Sequence, residues 1–159
     1  MDARSGATIP AVGHMTEWSE PRVAASARFF TSEEHATANA LCERLLALEP
    51  DCPVPVVARI EARLAEQELD GRYRGACEDG TIWRLSLAAL KADAVDRFQS
   101  PFAVLDGDRR DRLILYVRDL GSKYWHDMPA TQVWNLWTRY ACTAFYSHPF
   151  AWNDLGFRV

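Results

Sequence analysis

The sequence predicts an all-α protein, a compact bundle of about five helices with an irregular N-terminal arm and an aromatic C-terminal tail. Apolar residues recur at helical spacings along most of the chain, and no alternating run of useful length indicates a strand. Prolines and glycines divide the apolar stretches into helix-sized segments. The length of 159 residues fits one domain, which we place at residues 29–159 after an arm over residues 1–28.

The first helix is predicted from its capping box. Thr31 can accept a hydrogen bond from the backbone N–H of Glu34, whose carboxylate reaches back to the start of the helix. The buried stripe of this helix, at spacings of 3, 4 and 3, is Ala38, Leu41, Leu45 and Leu48. Pro50 and Pro53 end the helix, because proline cannot continue its hydrogen-bond ladder.

The second and third helices are predicted from their apolar stripes. The second runs over residues 55–69 and ends before Gly71, with a loop over residues 73–80. The third runs over residues 81–98, and Pro101 breaks it. The inward residues are Val57, Ile60 and Leu64 in the second helix, and Trp83, Leu87, Leu90 and Ala94 in the third. The charged residues of the second helix, Arg59, Glu61, Arg63 and Glu66, are expected to be solvated.

The last two helices follow two short connections. Phe102 and Leu105 are expected to fill the core from a loop, and Asp106 or Asp108 caps a fourth helix over residues 109–120. The fifth helix starts near Pro129, which is acceptable in a first turn, and ends at His148-Pro149. Its inward residues are Val133, Leu136, Trp137, Tyr140, Ala141 and Ala144. The tail over residues 150–159 is predicted to be irregular.

Charge and hydropathy argue against nucleic-acid binding and against a membrane-spanning helix. The chain has 18 Lys and Arg against 22 Asp and Glu, a net charge of −4, which argues against a general nucleic-acid binder. No apolar stretch approaches the roughly 20 residues of a membrane-spanning helix. Residues 1–26 lack the pattern of a secretory signal and contain no twin-arginine pair, so no export signal is predicted.

Motifs for catalysis and cofactor binding are absent from the sequence. It contains no CxxC pair, phosphate-binding Gly-rich loop, GxSxG elbow, HExxH motif or paired Glu-x-x-His, so we predict no catalytic, cofactor-binding or metal-binding residue. The cysteines are Cys42, Cys52, Cys77 and Cys142. Their spacing leaves two alternatives open: disulfides, with Cys42–Cys52 as the nearest pair in sequence, or buried free thiols.

The four histidines have ordinary structural interpretations. His14, in the arm, and His35, in the first turn of the first helix, are expected at the surface. His126 is expected in an exposed loop, and His148 at the end of the fifth helix, bonded to a terminal carbonyl. The alternative is a pocket around His126 and His148 in a free-standing ligand-binding protein or enzyme. A self-associating bundle is a third alternative.

Aromatic residues are concentrated towards the C-terminus, where four of the six tryptophans fall in the last 35 positions. The fifth helix is apolar on more than one side, so either it is the central helix of the bundle or one side meets another chain. Aromatic side chains are typical anchors of protein interfaces. The candidate partner-binding residues are Trp134, Trp137, Phe145, Tyr146, His148, Phe150 and Trp152.

Several blocks of the sequence occur together in one known family. The blocks are FFTSEE at residues 29–34, LCERLL at 41–46, WRLSLAAL at 83–90, PFAVLD at 101–106 and TAFYSHP at 143–149, followed by Trp152-Asn153 and Gly156-Phe157. Each is loose alone, but their order and spacing over residues 29–157 resemble the gluconate 2-dehydrogenase subunit 3 family.

The resemblance implies a small, non-catalytic helical subunit of a sugar or polyol dehydrogenase. The large partner is then a flavoprotein of the glucose–methanol–choline type, which carries FAD and passes electrons to a cytochrome c subunit or another acceptor. The sequence of residues 146–153 resembles that of relatives paired with glycoside or sugar 3-dehydrogenases. The resemblance also implies a periplasmic location and a part in exporting the partner, although a cytoplasmic location stays open because no signal is seen.

Overall fold

The structure, a computed structural model, describes residues 28–70 and 76–154. The helices are α1 (Ser32–Leu45), α2 (Val56–Asp70), α3 (Ala76–Phe98), a 3-10 helix (Phe102–Val104), α4 (Gly107–Asp119), α5 (Ala130–Tyr146) and α6 (Pro149–Asp154). The strands are β1 (Tyr124–Trp125) and β2 (Met128–Pro129). The predicted all-α bundle is confirmed, and the predicted arm over residues 1–28 lies outside the described residues except for Arg28.

Helix α5 is the central helix of the bundle. It packs against α1, α2, α3 and α4, and α6 packs against its end. Its buried residues are Ala130, Val133, Leu136, Trp137, Tyr140, Ala141 and Ala144, which include all six that the sequence predicted. The central position explains why α5 is apolar on more than one side, the first of the two alternatives that its pattern left open.

Local capping sets the starts of α1 and α4. The Thr31 hydroxyl accepts from the Glu34 N–H at 3.2 Å, and the Glu34 carboxylate accepts from the Thr31 N–H at 2.8 Å, which confirms the capping box. A carboxylate oxygen of Asp106, rather than of Asp108, accepts from the Arg109 N–H at 2.9 Å. Phe102 just before α4 is fully buried, as predicted, although it lies in a 3-10 helix rather than a loop.

Two predicted boundaries of α1 and α3 are wrong. Helix α1 ends at Leu45 because Ala47 has a positive φ of 48°, so Leu48 packs against the core from outside the helix. Helix α3 begins at Ala76, within the predicted loop over residues 73–80. Gly80 suits this first part of α3 because the phenyl ring of Phe29 packs directly against it, so the glycine that suggested a loop serves close packing.

The predicted irregular tail is also wrong where the structure describes it, since residues Pro149–Asp154 form α6. Pro149 occupies the first turn, where its missing N–H costs nothing. Ala151 is buried against the end of α5. This short helix depends on packing against α5, because six residues are too few to form a helix alone.

The described cysteines are free thiols. Cys42 is buried, Cys52 is half-buried and Cys142 is exposed, so the alternative of a Cys42–Cys52 disulfide is wrong. Burial raises the pKa of the Cys42 thiol to about 12, with the nearby charge of Glu43 adding to the rise. The thiol of Cys42 is therefore protonated at neutral pH and unsuited to nucleophilic chemistry. The side chain of Cys77 lies outside the described residues.

Candidate partner-docking surface

Trp137 belongs to the core and not to a docking surface, so its assignment as a partner-binding residue is wrong. Its side chain is fully buried, and its indole N–H donates a hydrogen bond to the Ser86 hydroxyl at 2.9 Å. The Trp125 ring packs edge-on against it with centroids 5.7 Å apart. A side chain enclosed in this way cannot contact another chain in the folded bundle.

Trp134 and Phe145 occupy an intermediate position on α5. Both are half-buried and pack against the hydrophobic core. The Phe145 ring also packs edge-on against the Tyr146 ring, with centroids 5.2 Å apart. Phe145 therefore supports Tyr146 from the core side, and only part of each half-buried ring is available to a partner.

Tyr146, Phe150 and Trp152 form the exposed aromatic group of the C-terminal region, which we call the aromatic corner. Their exposed fractions are 48%, 41% and 49%. Tyr146 ends α5, whereas Phe150 and Trp152 lie on α6, so the corner is formed where these two helices meet. Three large aromatic side chains half in solvent within seven positions of the chain are a pattern expected of an interface.

A hydrogen bond joins two members of the aromatic corner. The indole N–H of Trp152 donates to the backbone carbonyl of Tyr146 at 2.6 Å. That carbonyl belongs to the last turn of α5, where no intrahelical donor remains for it. The bond therefore satisfies a carbonyl at the helix end and orients the Trp152 ring, and buried Ala151 is part of the packing of α6 against α5.

His148 connects α5 and α6, but not in the predicted way. Its Nδ1 accepts a hydrogen bond from the Phe150 N–H at 3.2 Å, so it caps the start of α6 rather than a carbonyl at the end of α5. An accepting Nδ1 carries no proton, which places the proton of the neutral ring on Nε2. The geometry therefore gives His148 the role of positioning Phe150. Direct contact of His148 with a partner stays a prediction.

His126 lies at the tip of the hairpin formed by β1 and β2, a strand pair that the helical pattern of the sequence did not predict. As expected it is exposed, with 42% of its side chain in solvent. Its Nε2 lies 2.7 Å from one carboxylate oxygen of Asp93, and the other oxygen accepts from the Trp125 indole at 2.9 Å. His126 and Asp127 both have positive φ, of 45° and 63°, as a two-residue type I′ turn requires.

The structure does not bring His126 and His148 together, so the alternative of a pocket around both is wrong. His126 precedes α5 and His148 follows it. A helix of 17 residues is about 25 Å long, so the two imidazoles lie at opposite ends of it. Three cavities in the described part of the chain are lined by other side chains and by neither of these histidines.

His35 and Glu61 were expected at the surface but pair beside the start of α1. His35 Nδ1 lies 3.0 Å from one Glu61 carboxylate oxygen, and the other accepts from the Phe30 N–H at 3.0 Å. Glu61 is buried, with 9% of its surface exposed. The pair ties the segment before α1 to α2, and with both oxygens of Glu61 occupied we assign it a structural role.

A groove runs between α2 and α5. It consists of two cavities of about 330 and 200 Å³ that share Arg63, Tyr140 and Thr143. Ser147 lines one end, directly after Tyr146 in the chain, so the groove opens beside the aromatic corner. Arg63 is exposed, as predicted, and Arg59 is half-buried. The packing of α5 against α2 places both arginines along the groove.

The described residues offer no metal site and no membrane-spanning helix. No three His, Cys, Asp or Glu side chains among residues 28–70 and 76–154 are grouped as metal ligands. Within the same ranges, no helix combines the length and the apolar character needed to cross a bilayer.

The family model for gluconate 2-dehydrogenase subunit 3 matches residues 32–158, most of the chain. The chain belongs to the gluconate 2-dehydrogenase subunit 3 family. No curated protein and no solved structure matches it significantly. The family is named for a dehydrogenase subunit, so membership indicates an accessory subunit with a partner, and the matched range includes the aromatic corner and the groove.

Proposed function

We propose that this chain is a non-catalytic accessory subunit that binds and stabilises an FAD-dependent sugar dehydrogenase of the glucose–methanol–choline type through its aromatic corner. The observation that carries the proposal is the half exposure of Tyr146, Phe150 and Trp152 at the junction of α5 and α6. Membership of the gluconate 2-dehydrogenase subunit 3 family supports a dehydrogenase as the partner.

The energetics of the aromatic corner support docking. Tyrosine and tryptophan dominate the binding energy of many interfaces because they bury a large apolar area at little cost in rotamer entropy. Here the entropy cost is reduced further, since the bond from Trp152 to the Tyr146 carbonyl already orients the ring. An apolar group left in water favours aggregation, so covering it stabilises the subunit as well as the complex.

The proposal also divides the chemistry between the subunits. It has no dinucleotide-binding Gly-rich motif, so the proposal places FAD and sugar oxidation on the partner flavoprotein. The sequence of residues 146–153, by its resemblance, favours a glycoside or sugar 3-dehydrogenase as that partner. A cytochrome c subunit as electron acceptor, help with export and a periplasmic location belong to the same proposal and rest on the family resemblance.

The test compares two exposed aromatic sites at opposite ends of α5. Trp152→Ala and Phe150→Ala remove members of the aromatic corner, whereas Tyr124→Ala removes a control side chain that is 70% exposed on the hairpin. Each variant is co-expressed with a glucose–methanol–choline type flavoprotein from the same genome, selected by gene adjacency. The affinity of each purified variant for the flavoprotein is then measured by biolayer interferometry.

We expect Trp152→Ala to weaken binding about thirtyfold or more, as truncation of an interface hot spot does. Tyr124→Ala should bind like the unmodified chain. If Tyr124→Ala lost binding while Trp152→Ala bound normally, the docking site would lie at the hairpin end of α5 instead. A chain that is soluble and monodisperse alone and never co-purifies with the flavoprotein would contradict the proposal.

A further inference from the structure

The groove between α2 and α5 contains two arginines that form no ion pair with a carboxylate in the described part of the chain. Arg59 and Arg63 lie one turn apart on α2, so their side chains emerge on the same face. Among the described residues, Arg63 has no hydrogen bond or ion pair, and its guanidinium lies 5.7 Å from the centre of the Tyr140 ring. Both cations therefore remain available to an anion.

Arg59 has an unsatisfied hydrogen-bond donor in the groove. Its terminal nitrogen donates to the Ser147 hydroxyl at 2.8 Å, which holds the side chain against the end of α5. Its Nε is buried and has no acceptor among the described residues. A buried donor without an acceptor costs stability, so a shift of the Arg59 side chain that brings Nε to an acceptor from outside the chain would relieve that cost.

The far end of the groove is already neutralised. Asp79 accepts from Arg139 at 2.9 Å and from the Tyr140 hydroxyl at 2.8 Å. Burial, followed by the hydrogen bond to Asp79 and its charge, raises the pKa of the Tyr140 phenol, so this hydroxyl stays protonated. Glu66 is the other acid in the groove. It lines the same cavity as Arg59 and Arg63, which leaves two arginines against one acid at that end of the groove.

We propose that an acidic segment of the partner flavoprotein lies in this groove, with its carboxylates on Arg59 and Arg63. The occupant follows from charge: the groove lining has three arginines against two acids, whereas the whole chain has a net charge of −4. Guanidinium groups bind carboxylates in pairs of parallel hydrogen bonds. This proposal rests on the proposed function and deepens it by naming the chemistry of the partner at its docking site.

Continuity with the aromatic corner supports the same occupant. Ser147 lines the groove and follows Tyr146, so a segment bound at the corner can continue into the groove without a long connection. The larger cavity, about 330 Å³, has the size that a few side chains fill. The aromatic corner then supplies apolar burial, and the arginines supply orientation and a faster encounter.

Charge reversal in the groove tests the proposal. Arg63→Glu is the main variant, because among the described residues no hydrogen bond of the fold depends on Arg63. Arg112→Glu on α4 is the matched control, an exposed arginine outside the groove lining. Arg63→Gln serves if the reversal disturbs folding. The readout is the affinity for the flavoprotein between 50 and 500 mM NaCl (about a threefold change in Debye length).

We expect Arg63→Glu to weaken binding about tenfold at low salt and to flatten its salt dependence, as loss of a charged pair at an interface does. Arg112→Glu should leave the affinity and its salt dependence unchanged. Equal affinity of Arg63→Glu and the unmodified chain at every salt concentration would overturn the proposal while leaving docking at the aromatic corner intact. Absence of any complex with the flavoprotein would overturn this proposal together with the proposed function.

Discussion

The indole of Trp137 donates its N–H to the hydroxyl of Ser86 at 2.9 Å and thereby joins α5 to α3 inside the core. The Ser86 hydroxyl in turn donates to the Trp83 carbonyl at 2.8 Å. This one hydroxyl therefore accepts from the indole N–H of Trp137 and donates to the backbone of α3. Both Ser86 and Trp137 are fully buried. The pair explains how the core holds a large aromatic residue that carries a polar group.

Ser86→Ala should destabilise the bundle without changing its fold. The variant leaves the buried Trp137 N–H without an acceptor, which costs about 1–3 kcal/mol in the free energy of unfolding. Urea denaturation of the isolated chain measures the loss. Ser122→Ala, at an exposed position before the hairpin, is the control and should shift the unfolding midpoint little. Equal midpoints for the two variants would contradict this role of Ser86.

Gly80→Ala should also destabilise the folded chain, although alanine has a higher helix propensity than glycine. A Cβ at Gly80 would lie 2.7 Å from the tip of the Phe29 ring, which is held by Phe30 and Arg84. Overpacking costs about 1–3 kcal/mol, more than the gain of about 1 kcal/mol expected from replacing glycine in a helix. Thermal unfolding measures the sign of the change.

A second background isolates the cause of the Gly80→Ala effect. In a Phe29→Leu chain the ring tip is absent, so adding Gly80→Ala should cost less there than in the unmodified chain. The same destabilisation in both backgrounds would show that the ring is not responsible.

The Arg44–Asp111 pair should make stability depend on acidic pH. Two hydrogen bonds, of 2.8 and 2.6 Å, join the side chains, and the bond from Arg44 lowers the pKa of Asp111 below its ordinary 3.8. A lowered pKa gives a contribution that is present above pH 3.8 and lost as the pH falls through the lowered value. The pair is over one-third exposed, so its contribution is at most about 1 kcal/mol.

Asp111→Asn tests this contribution by urea denaturation at several pH values. The variant should be less stable than the unmodified chain at pH 6, and the difference should shrink as the pH falls below 3.8. Asp51→Asn, an exposed carboxyl in the connection between α1 and α2, serves as the control. A difference for Asp111→Asn that does not change with pH would count against the ion pair.

Asp127→Gly should stabilise the hairpin. Asp127 has a φ of 63°, a left-handed conformation that costs about 1–2 kcal/mol for most residues, less for Asp, and that glycine adopts freely. We therefore expect a gain of up to about 1 kcal/mol in the free energy of unfolding. His126→Gly should gain less or lose, since it also removes the contact with Asp93. A loss for Asp127→Gly would indicate that its side chain has a further role.

Helix starts were predictable where a cap is coded within four residues. The capping box of Thr31 and Glu34 and the aspartate before α4 are local patterns, and the structure contains both. Helix α6 and the early start of α3 were not predictable in this way. They depend on contacts between distant residues, such as the packing of Gly80 against Phe29.

The candidate site shows the same division. Its composition was visible in the sequence, since aromatic residues cluster towards the C-terminus, but their exposure was not. Trp137 and Trp152 are equally plausible anchors by residue type, yet one is fully buried and the other is half exposed. Among the charged residues of α2 that were predicted to be solvated, Arg63 is exposed, as expected, whereas Glu61 is buried. That Arg59 and Arg63 also line a groove was not visible in the charge pattern.

The sequence by itself determined the all-α class, the main helices and the family, because helical periodicity, caps and ordered motifs are local properties of the chain. The tertiary structure alone decided which aromatic side chains reach solvent and which arginines share a groove. These properties depend on which helix covers each face, and that follows from the packing of α5 among its neighbours.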